Sequence, residues 1–563
     1  MSRGVRIVLY AVNGSGLGHL TRLVAVARWI RRYALHAGAR AEIYFLTSSE
    51  AEGLLFHERF ASFKLPSKTI VTDAGIDKLT YLGLAKQWVW HSIGLLRPDL
   101  FVVDTFPRGA FGELLSALDL CRKKAFIYRP VNDEFAQRAD FQAMLPLYDL
   151  LLVPEDEGAG KAVLPEGARG KTRHTGPIMA RERVELLPRA AARERLGIGA
   201  DQLAVWISAG GGGDARAEEQ IRHTCEAVSS ALPGSALVVA AGPLYRGARL
   251  HGDGIRWLNE PGASELLGAI DFAVCAAGYN TYHELMHAGV PAIFWPQRKV
   301  ADEQAERAKR AAAAGAAFLL DHEGDAEALA RAAIRLADPD ERARAAHAAR
   351  SLVPKNYARA AAAELLRLVW AAAEVEAAEE AMSDDLLAAA RELSLPIDPF
   401  VEVMHVLAPR AAEGPAADPG EARAQAVEIV RAASRRGAPP EAAVLIAQGL
   451  SRRLPRATPE ERAKAVMGLL AELAPFGDWT AAVTLIKLLR PERRLDAAAL
   501  GGELAAFLSE LGEHGRDLYA GVALLSSAQG LGNDAPGNQD ALREAIARLR
   551  RAANDPFAGG AQP

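Results

Sequence analysis

Disulfide chemistry is the first thing this 563-residue sequence lacks. Its three cysteines, Cys121, Cys225 and Cys275, lie far apart and form no C-x-x-C pair. That excludes a disulfide framework and a cysteine-rich zinc module, and suits a reducing cytosol. Charge of one sign is missing too. The 66 Lys and Arg stand against 70 Asp and Glu, a net charge of −4, so the chain is not built to hold DNA or RNA by neutralising phosphates. No apolar run reaches the roughly 18 residues of a membrane-spanning helix. The most apolar stretches, 311–320 and 365–373, stop well short. The N-terminus runs into a β-like segment and then glycines, not into the apolar core and small-residue cleavage site of a signal peptide. Together these absences predict a cytoplasmic protein with at most peripheral membrane contact and no nucleic-acid partner. What remains is an ordinary globular balance of 50% hydrophobic and 24% charged residues, long enough for three or four domains at about 150 residues each.

Two regimes follow one another along the chain. Up to about residue 355, short apolar runs alternate with longer segments of helical periodicity. Candidate strands are 6–10, 42–46, 100–104, 125–128, 150–153, 204–207, 236–240, 255–258, 272–275, 292–295 and 317–320, with helical patterns such as 20–33, 215–232 and 302–314 between them. Such alternation predicts parallel sheets covered on both faces. Eleven strands exceed one ordinary open sheet, and Gly176-Pro177 followed by a helical link at 188–196 marks the break. The reading is α/β, with two Rossmann-like doubly wound domains facing a cleft: 1–176, and 177–375 with a return helix at 358–373. After about 380 the β signal disappears into Ala- and Leu-rich helical patterns cut by prolines, an all-α domain over 380–555 with a loop at 411–420 and a disordered tail at 556–563. That domain is a candidate surface for a protein partner or for self-association.

The first strand runs into Asn13-Gly14-Ser15-Gly16-Leu17-Gly18-His19 and then a helix. Glycines there let the backbone turn sharply and approach a ligand, and a following helix N-terminus suits phosphate. A nicotinamide or flavin site does not fit: the third glycine of G-x-G-x-x-G would fall on His19, and the second strand ends in Thr47-Ser48-Ser49 without a ribose-binding acid. A Walker A loop does not fit either, since no Gly-Lys-Ser/Thr follows. His19, at the junction of loop and helix, has the chemistry of a general base. Arg22, one turn on, and Asp104, at the end of a later strand, are candidate contacts to an anion or an acceptor.

The second half repeats the device. Strand 204–207 enters Ser208-Ala209-Gly210-Gly211-Gly212-Gly213, four glycines that cost chain entropy unless something approaches the backbone, with a diphosphate the expected visitor. Strand 272–275 leads to Gly278-Tyr279-Asn280-Thr281-Tyr282-His283-Glu284, another helix start, where Thr281 would cap or bind phosphate and Glu284 would accept bonds from ribose hydroxyls. Glu303 and Gln304 open a further helix and are candidates for reading sugar hydroxyls. Asp338-Pro339-Asp340, the one D-x-D string, reads as a helix cap and not as a metal site. No metal and no cofactor are implied.

The block Gly-Tyr-Asn-Thr…His-Glu-Leu…Ala-Gly-Val-Pro-Ala…Pro…Asp-Glu-Gln resembles the C-terminal half of glycosyltransferase family 28. The N-terminal Gly-x-Gly-Leu-Gly-His-Leu-x-Arg and the string from Pro98 to Gly109 look most like that family's predicted glycosyltransferases of unassigned substrate. The resemblance covers about residues 5–355. It implies a GT-B fold, a nucleotide-sugar donor carrying uridine diphosphate, and transfer to an unidentified acceptor hydroxyl without a metal. It would put Glu284 on the donor ribose, Gly16, Gly18, Gly210–Gly213, Gly278, Asn280 and Thr281 about the nucleotide, Glu303 and Gln304 on the sugar, and His19 across the cleft. The family's peptidoglycan enzyme has Gln where Glu303 stands and lacks the Leu-x-Arg extension, so lipid II synthesis is not inferred. Two other readings stand beside this one. Residues 16–22 are similar to the Gly-x-Gly-His-x-x-Arg motif of a nucleotide-sugar hydrolase, and a non-catalytic sugar-nucleotide-binding scaffold would use the same loops.

Overall fold

The computed structural model describes residues 4–12, 17–37, 39–156, 162–213, 216–258, 262–297, 302–320 and 325–382, and beyond them only 429, 464 and 466–468. Two compact units divide the chain, the first ending at Glu380 and the second consisting chiefly of 381–563. The expected domain over 380–555, its loop at 411–420 and the tail at 556–563 lie almost wholly outside the described residues. Of the second unit, 429, 464 and 466–468 are helical.

The first unit holds two parallel sheets. In the first, β1 (Val5–Ala11), β2 (Ala41–Thr47), β3 (Ala61–Lys64), β4 (Leu100–Asp104), β5 (Lys124–Ile127), β6 (Leu150–Val153) and β7 (Thr172–His174) run in the order β3-β2-β1-β4-β5-β6-β7. In the second, β8 (Ala204–Ser208), β9 (Ala236–Ala240), β10 (Ile255–Leu258), β11 (Phe272–Cys275), β12 (Ala292–Phe294) and β13 (Ala317–Leu319) run β10-β9-β8-β11-β12-β13. Every pairing is parallel, as in Ile7 opposite Leu100 and Phe272 opposite Val205. These are two doubly wound parallel sheets, the arrangement that the sequence reading expects. Central strands read as unbroken apolar runs because helices cover both faces: all of β4, β6, β8 and β9 is buried. In β8, Ala204 and Trp206 enter one core while Val205 and Ile207 enter the other, the period of two that a strand imposes.

The eleven expected strands are all present, and β3 and β7 are additional. Both lie at sheet edges and are largely exposed, so their sequences carry no apolar run to announce them. The return helix expected over 358–373 is broken. It forms as Ala358–Leu366 and Ala372–Ala381, and between them the Leu368 and Val369 N–H groups bond three residues back, to Leu365 and Leu366. That tightening ends the helix without the Gly or Pro that sequence reading looks for. Asp338 does cap a helix, Pro339–Leu352, its carboxylate accepting from the Glu341 N–H.

The helices that matter to the site begin at strand ends. Helix α1 (Gly18–His36) follows β1 and is buried nearly all round, with every residue from Arg22 to Ile30 inside, as in a helix packed into a core and not laid on a surface. Helix α2 (Lys68–Asp73) is capped by Ser67, which accepts from the Ile70 N–H. Helix α3 (Tyr279–Ala288) follows β11 and stops at Gly289, which takes φ +77°. Helix α4 (Gln304–Ala313) follows β12.

Candidate active site

In an open α/β sheet the chain can admit a ligand where strand order reverses, outside the carboxyl ends of the strands. Here those points are the ends of β1 and β4, and of β8 and β11. Almost every residue singled out in the sequence sits at one of the two.

Asp104 ends β4 and is wholly buried. Its Oδ1 lies 2.6 Å from His19 Nδ1. Arg22 donates to it twice, from Nε to Oδ2 and from Nη2 to Oδ1, each at 2.8 Å, and the Thr105 hydroxyl donates to Oδ1 at 2.6 Å. Thr105 adopts φ +59°, a conformation a β-branched residue keeps only when its surroundings hold it there. Burial alone would raise the Asp104 pKa, but the charge of Arg22 and the bonds from His19 and Arg22 hold it well below the usual carboxylate range. An ionised carboxylate only accepts, so the proton between Asp104 and His19 belongs to Nδ1 and the basic lone pair of the imidazole is at Nε2. Burial lowers the His19 pKa despite the Asp104 charge, which keeps the ring neutral and able to take a proton near neutral pH.

The N-termini of α1 and α3 meet beside this cluster. A Cβ on Gly18 would lie 3.8 Å from Asn280 Oδ1. The Arg22 guanidinium stacks 4.9 Å from the centre of the Tyr279 ring, whose hydroxyl donates to the Pro154 carbonyl and accepts from the Ile178 N–H. Arg22 Nη1 and Asn280 Oδ1 are buried without a hydrogen-bond partner. A buried guanidinium N–H left unpaired is costly, and two helix N-termini beside it make the place suited to an anion. Gly16 lies outside the described residues.

A cavity of about 340 Å³ opens next to this point, between the two sheets' carboxyl ends. Leu17 and Thr21 line it from the first half. Ser208, Gly210, Thr281 and Glu284, with Trp206 and Leu258, line it from the second. Glu284 is the cavity's titratable group on α3. Burial raises its pKa to about 7, against the Ala180 N–H and Arg181, which favour the anion. Of the four glycines after β8, Gly210 and Gly212 take φ +90° and +81°. Any side chain on Gly212 would run into the Ala241 carbonyl and Tyr245. Gly211 packs against Gly242, and Gly213 is exposed.

Gln304 and Glu303 sit apart from that cavity's lining. Glu303 is exposed and precedes α4, while Gln304 is buried, accepting from the Gln297 N–H at 3.0 Å and donating to Asp302 at 3.2 Å, with its amide nitrogen 4.0 Å from a Cβ on Gly278. The neighbour that sequence reading passed over, Asp302, takes the central place: Arg129 from the first half donates to it at 2.7 Å, and Arg307 also bonds it. Tyr279, Thr105 and Phe106 were likewise not singled out, although the strings containing them were. Phe106 packs on His19 with ring centres 5.4 Å apart and lines a second cavity, of about 410 Å³. Behind α1, Arg28 and Arg32 converge on Glu185, and Arg181 bridges Glu58 and Glu265. The pairs to Glu185 tie α1 to the segment that crosses from one sheet to the other.

Residues 261–365 match the Glycosyltransferase family 28 C-terminal domain. No curated protein matches in sequence. Among solved structures, the glycotransferase of kitacinnamycin is 18% identical with a TM-score of 0.45, over 65% of this chain and 99% of that one. The spinosyn rhamnosyltransferase SpnG is 17% identical with a TM-score of 0.44, over 64% of this chain and 100% of that one. MurG of Acinetobacter baumannii is 15% identical with a TM-score of 0.41, over 64% and 99%. No helix among the described residues is long and apolar enough to cross a membrane. The match over 261–365 takes in β11, α3, β12, α4 and β13, so the segment that carries Thr281 and Glu284 is similar to the glycosyltransferase family 28 C-terminal domain.

Proposed function

We propose that the protein is a glycosyltransferase that moves a sugar from a nucleoside diphosphate sugar, with uridine as the base the family resemblance implies, to an acceptor hydroxyl in the cytoplasm. The observation that carries the proposal is the His19–Asp104 pair, fixed in a base-competent tautomer by Arg22, beside a cavity whose opposite wall presents Thr281 and Glu284. In this reading Glu284 accepts bonds from the donor's ribose hydroxyls. The diphosphate lies against the N-terminus of α3 and the Gly210 turn. Arg22 Nη1 and the N-terminus of α1 add positive potential at the same place.

The acceptor hydroxyl gives its proton to His19 Nε2 as its oxygen bonds to the anomeric carbon. The bond from that carbon to the diphosphate breaks, and its electron pair leaves with the nucleotide. Asp104 stabilises the imidazolium that forms, without taking the proton. Helix N-termini, backbone N–H groups and Arg22 meet the charge that grows on the departing diphosphate, which is the role a metal ion plays elsewhere. A general base of this kind contributes roughly 10²–10⁴ in rate. Product analysis with a radiolabelled nucleotide sugar tests the proposal. Label carried onto an acceptor supports it, whereas label released only as free sugar assigns His19 to water and the protein to hydrolysis.

A further inference from the structure

Phe106, which packs on His19, also lines the second cavity. Lys68 and Thr69 of α2, the segment from Phe106 to Phe111 after β4, and Phe135, Arg138, Asp140 and Phe141 form its walls. A row of rings leads into it from the candidate base: His19 to Phe106 at 5.4 Å, Phe106 to Phe135 at 6.1 Å, and Phe135 to Phe141 at 5.6 Å. Its volume, about 410 Å³, falls within the range of small-molecule sites.

The wall is built before any ligand arrives. Glu113 accepts from the Tyr10 hydroxyl at 2.6 Å and from the Ala110 and Phe111 N–H groups at 2.8 and 2.7 Å. Its carboxylate also fills the space a side chain on Gly109 would need, where φ is +79°. Tyr148 donates to the Pro107 carbonyl at 2.5 Å. The loop is therefore held at both ends.

Charge in the cavity is unbalanced. Three cations, Lys68, Arg108 and Arg138, face one carboxylate, Asp140. Asp140 accepts from Arg108 at 2.5 Å and from Arg138 at 3.1 and 3.0 Å, so a single anion is shared by two guanidinium groups. Lys68 has no ion pair among the described residues. Its ammonium stands 4.4 Å over the Phe111 ring, and the carboxylate that attracts it, Glu113, is already committed to the loop. Arg138 covers the Phe135 ring at 5.2 Å. Cations poised over aromatic faces form a surface for a flat apolar body with a negative group at its edge.

We propose that this cavity is the acceptor site and that the acceptor carries an anionic group, a carboxylate or a phosphate, beside an aromatic or flat apolar body. The inference rests on the glycosyltransferase reading for the word acceptor, but not for the binding site itself. The anion would sit among Lys68, Arg108 and Arg138, the apolar body would lie along Phe106 and Phe135, and the hydroxyl would be brought to His19.

The test is calorimetric titration of the full chain with phenyl phosphate, benzoate and neutral benzyl alcohol, in saturating uridine diphosphate so that the donor cavity is filled. At least one anion should bind about tenfold or more tightly than the alcohol, the difference one charge-assisted hydrogen bond makes at ~1.4 kcal/mol per decade. The tighter of the two anions distinguishes a phosphorylated from a carboxylated acceptor. The double variant Lys68→Met with Arg138→Gln, both at exposed positions, should lose that preference and keep its affinity for uridine diphosphate. Equal binding of all three probes, or an anion preference that survives the double variant, overturns the site. If the anions bind as expected but neither uridine diphosphate nor any other nucleoside diphosphate binds the unmodified chain, the glycosyltransferase reading fails and the anion site stands.

Discussion

Replacing Asp104 by Asn separates the chemistry of the candidate base from its fold. The carboxylate is buried and accepts from His19, from two nitrogens of Arg22 and from Thr105. An amide of the same shape keeps one acceptor oxygen but presents an N–H₂ group on the other side. If the amide donates to His19, Nδ1 becomes the acceptor and the proton moves to Nε2, so the base is lost. Turnover should fall by ~10²–10⁴, while affinity for uridine diphosphate changes little, because the proposed donor contacts are chiefly those of Thr281, Glu284 and the Gly210 turn. The same change leaves the Arg22 guanidinium buried beside a neutral group. Breaking a buried pair from one side costs about 3–5 kcal/mol, so the urea midpoint should drop as well. The double variant Asp104→Asn with Arg22→Met removes the stranded charge. It should regain much of that stability without regaining turnover. An assay of initial rates at saturating donor, with unfolding followed by circular dichroism, reads both quantities. A folded Asp104→Asn protein whose rate stays within about threefold of the unmodified chain would refute the assignment of His19 as base, given that the base is expected to supply far more.

Four further outcomes follow from the same geometry. Glu284 has its pKa raised to about 7 by burial, and ribose hydroxyls donate to the ionised form, so affinity for uridine diphosphate should rise between pH 6 and 8; in calorimetry Glu284→Gln should bind more weakly and lose the part of the pH dependence that is not the nucleotide's own. Burial and the neighbouring Glu185 raise Glu182 from 4.5 to about 7, so the native state holds its proton longer than the unfolded chain and stability falls as pH rises from 4.5 to 7; Glu182→Gln, which keeps the acceptor for the Trp29 N–H, should remove that loss and add of the order of 1–3 kcal/mol at pH 8 but little at pH 4.5, read from urea unfolding. Gly212→Ala, at φ +81° and against the Ala241 carbonyl, should displace the loop and weaken uridine diphosphate binding at least tenfold, about 1.4 kcal/mol, as titration would show. A chain ending after Glu380, the boundary of the first compact unit, should remain folded by circular dichroism and bind uridine diphosphate with unchanged affinity.

How much of this was legible in the sequence depends on how local the cause is. The buried strands declare themselves because a parallel sheet covered on both faces needs unbroken apolar runs, as in Leu150–Val153. The exposed edges β3 and β7 carry no such run and were not found. His19, Thr281 and Glu284 were legible because a glycine turn followed by a helix start is a local pattern. That His19, Arg22 and Asp104 form one cluster was not, since 82 residues separate Arg22 from Asp104 and only the β1–β4 pairing brings them together. The string Asp302-Glu303-Gln304 shows the limit from the other side. All three are polar and adjacent, and only the fold shows that Asp302 meets Arg129 while Glu303 faces solvent. Phe106 and Lys68 belong to no local pattern in the sequence, and only the fold makes them walls of one cavity.

The central claim is transfer of a sugar, and product analysis tests it most directly. The full chain would be incubated with a panel of radiolabelled nucleotide sugars and with the small-molecule and lipid fractions of the cells that make it, and the products separated by chromatography. The account predicts one donor whose label moves to a larger molecule as free nucleoside diphosphate appears, and the loss of that product with His19→Ala. Label that stays entirely in the donors, or that appears only as free sugar, would contradict it.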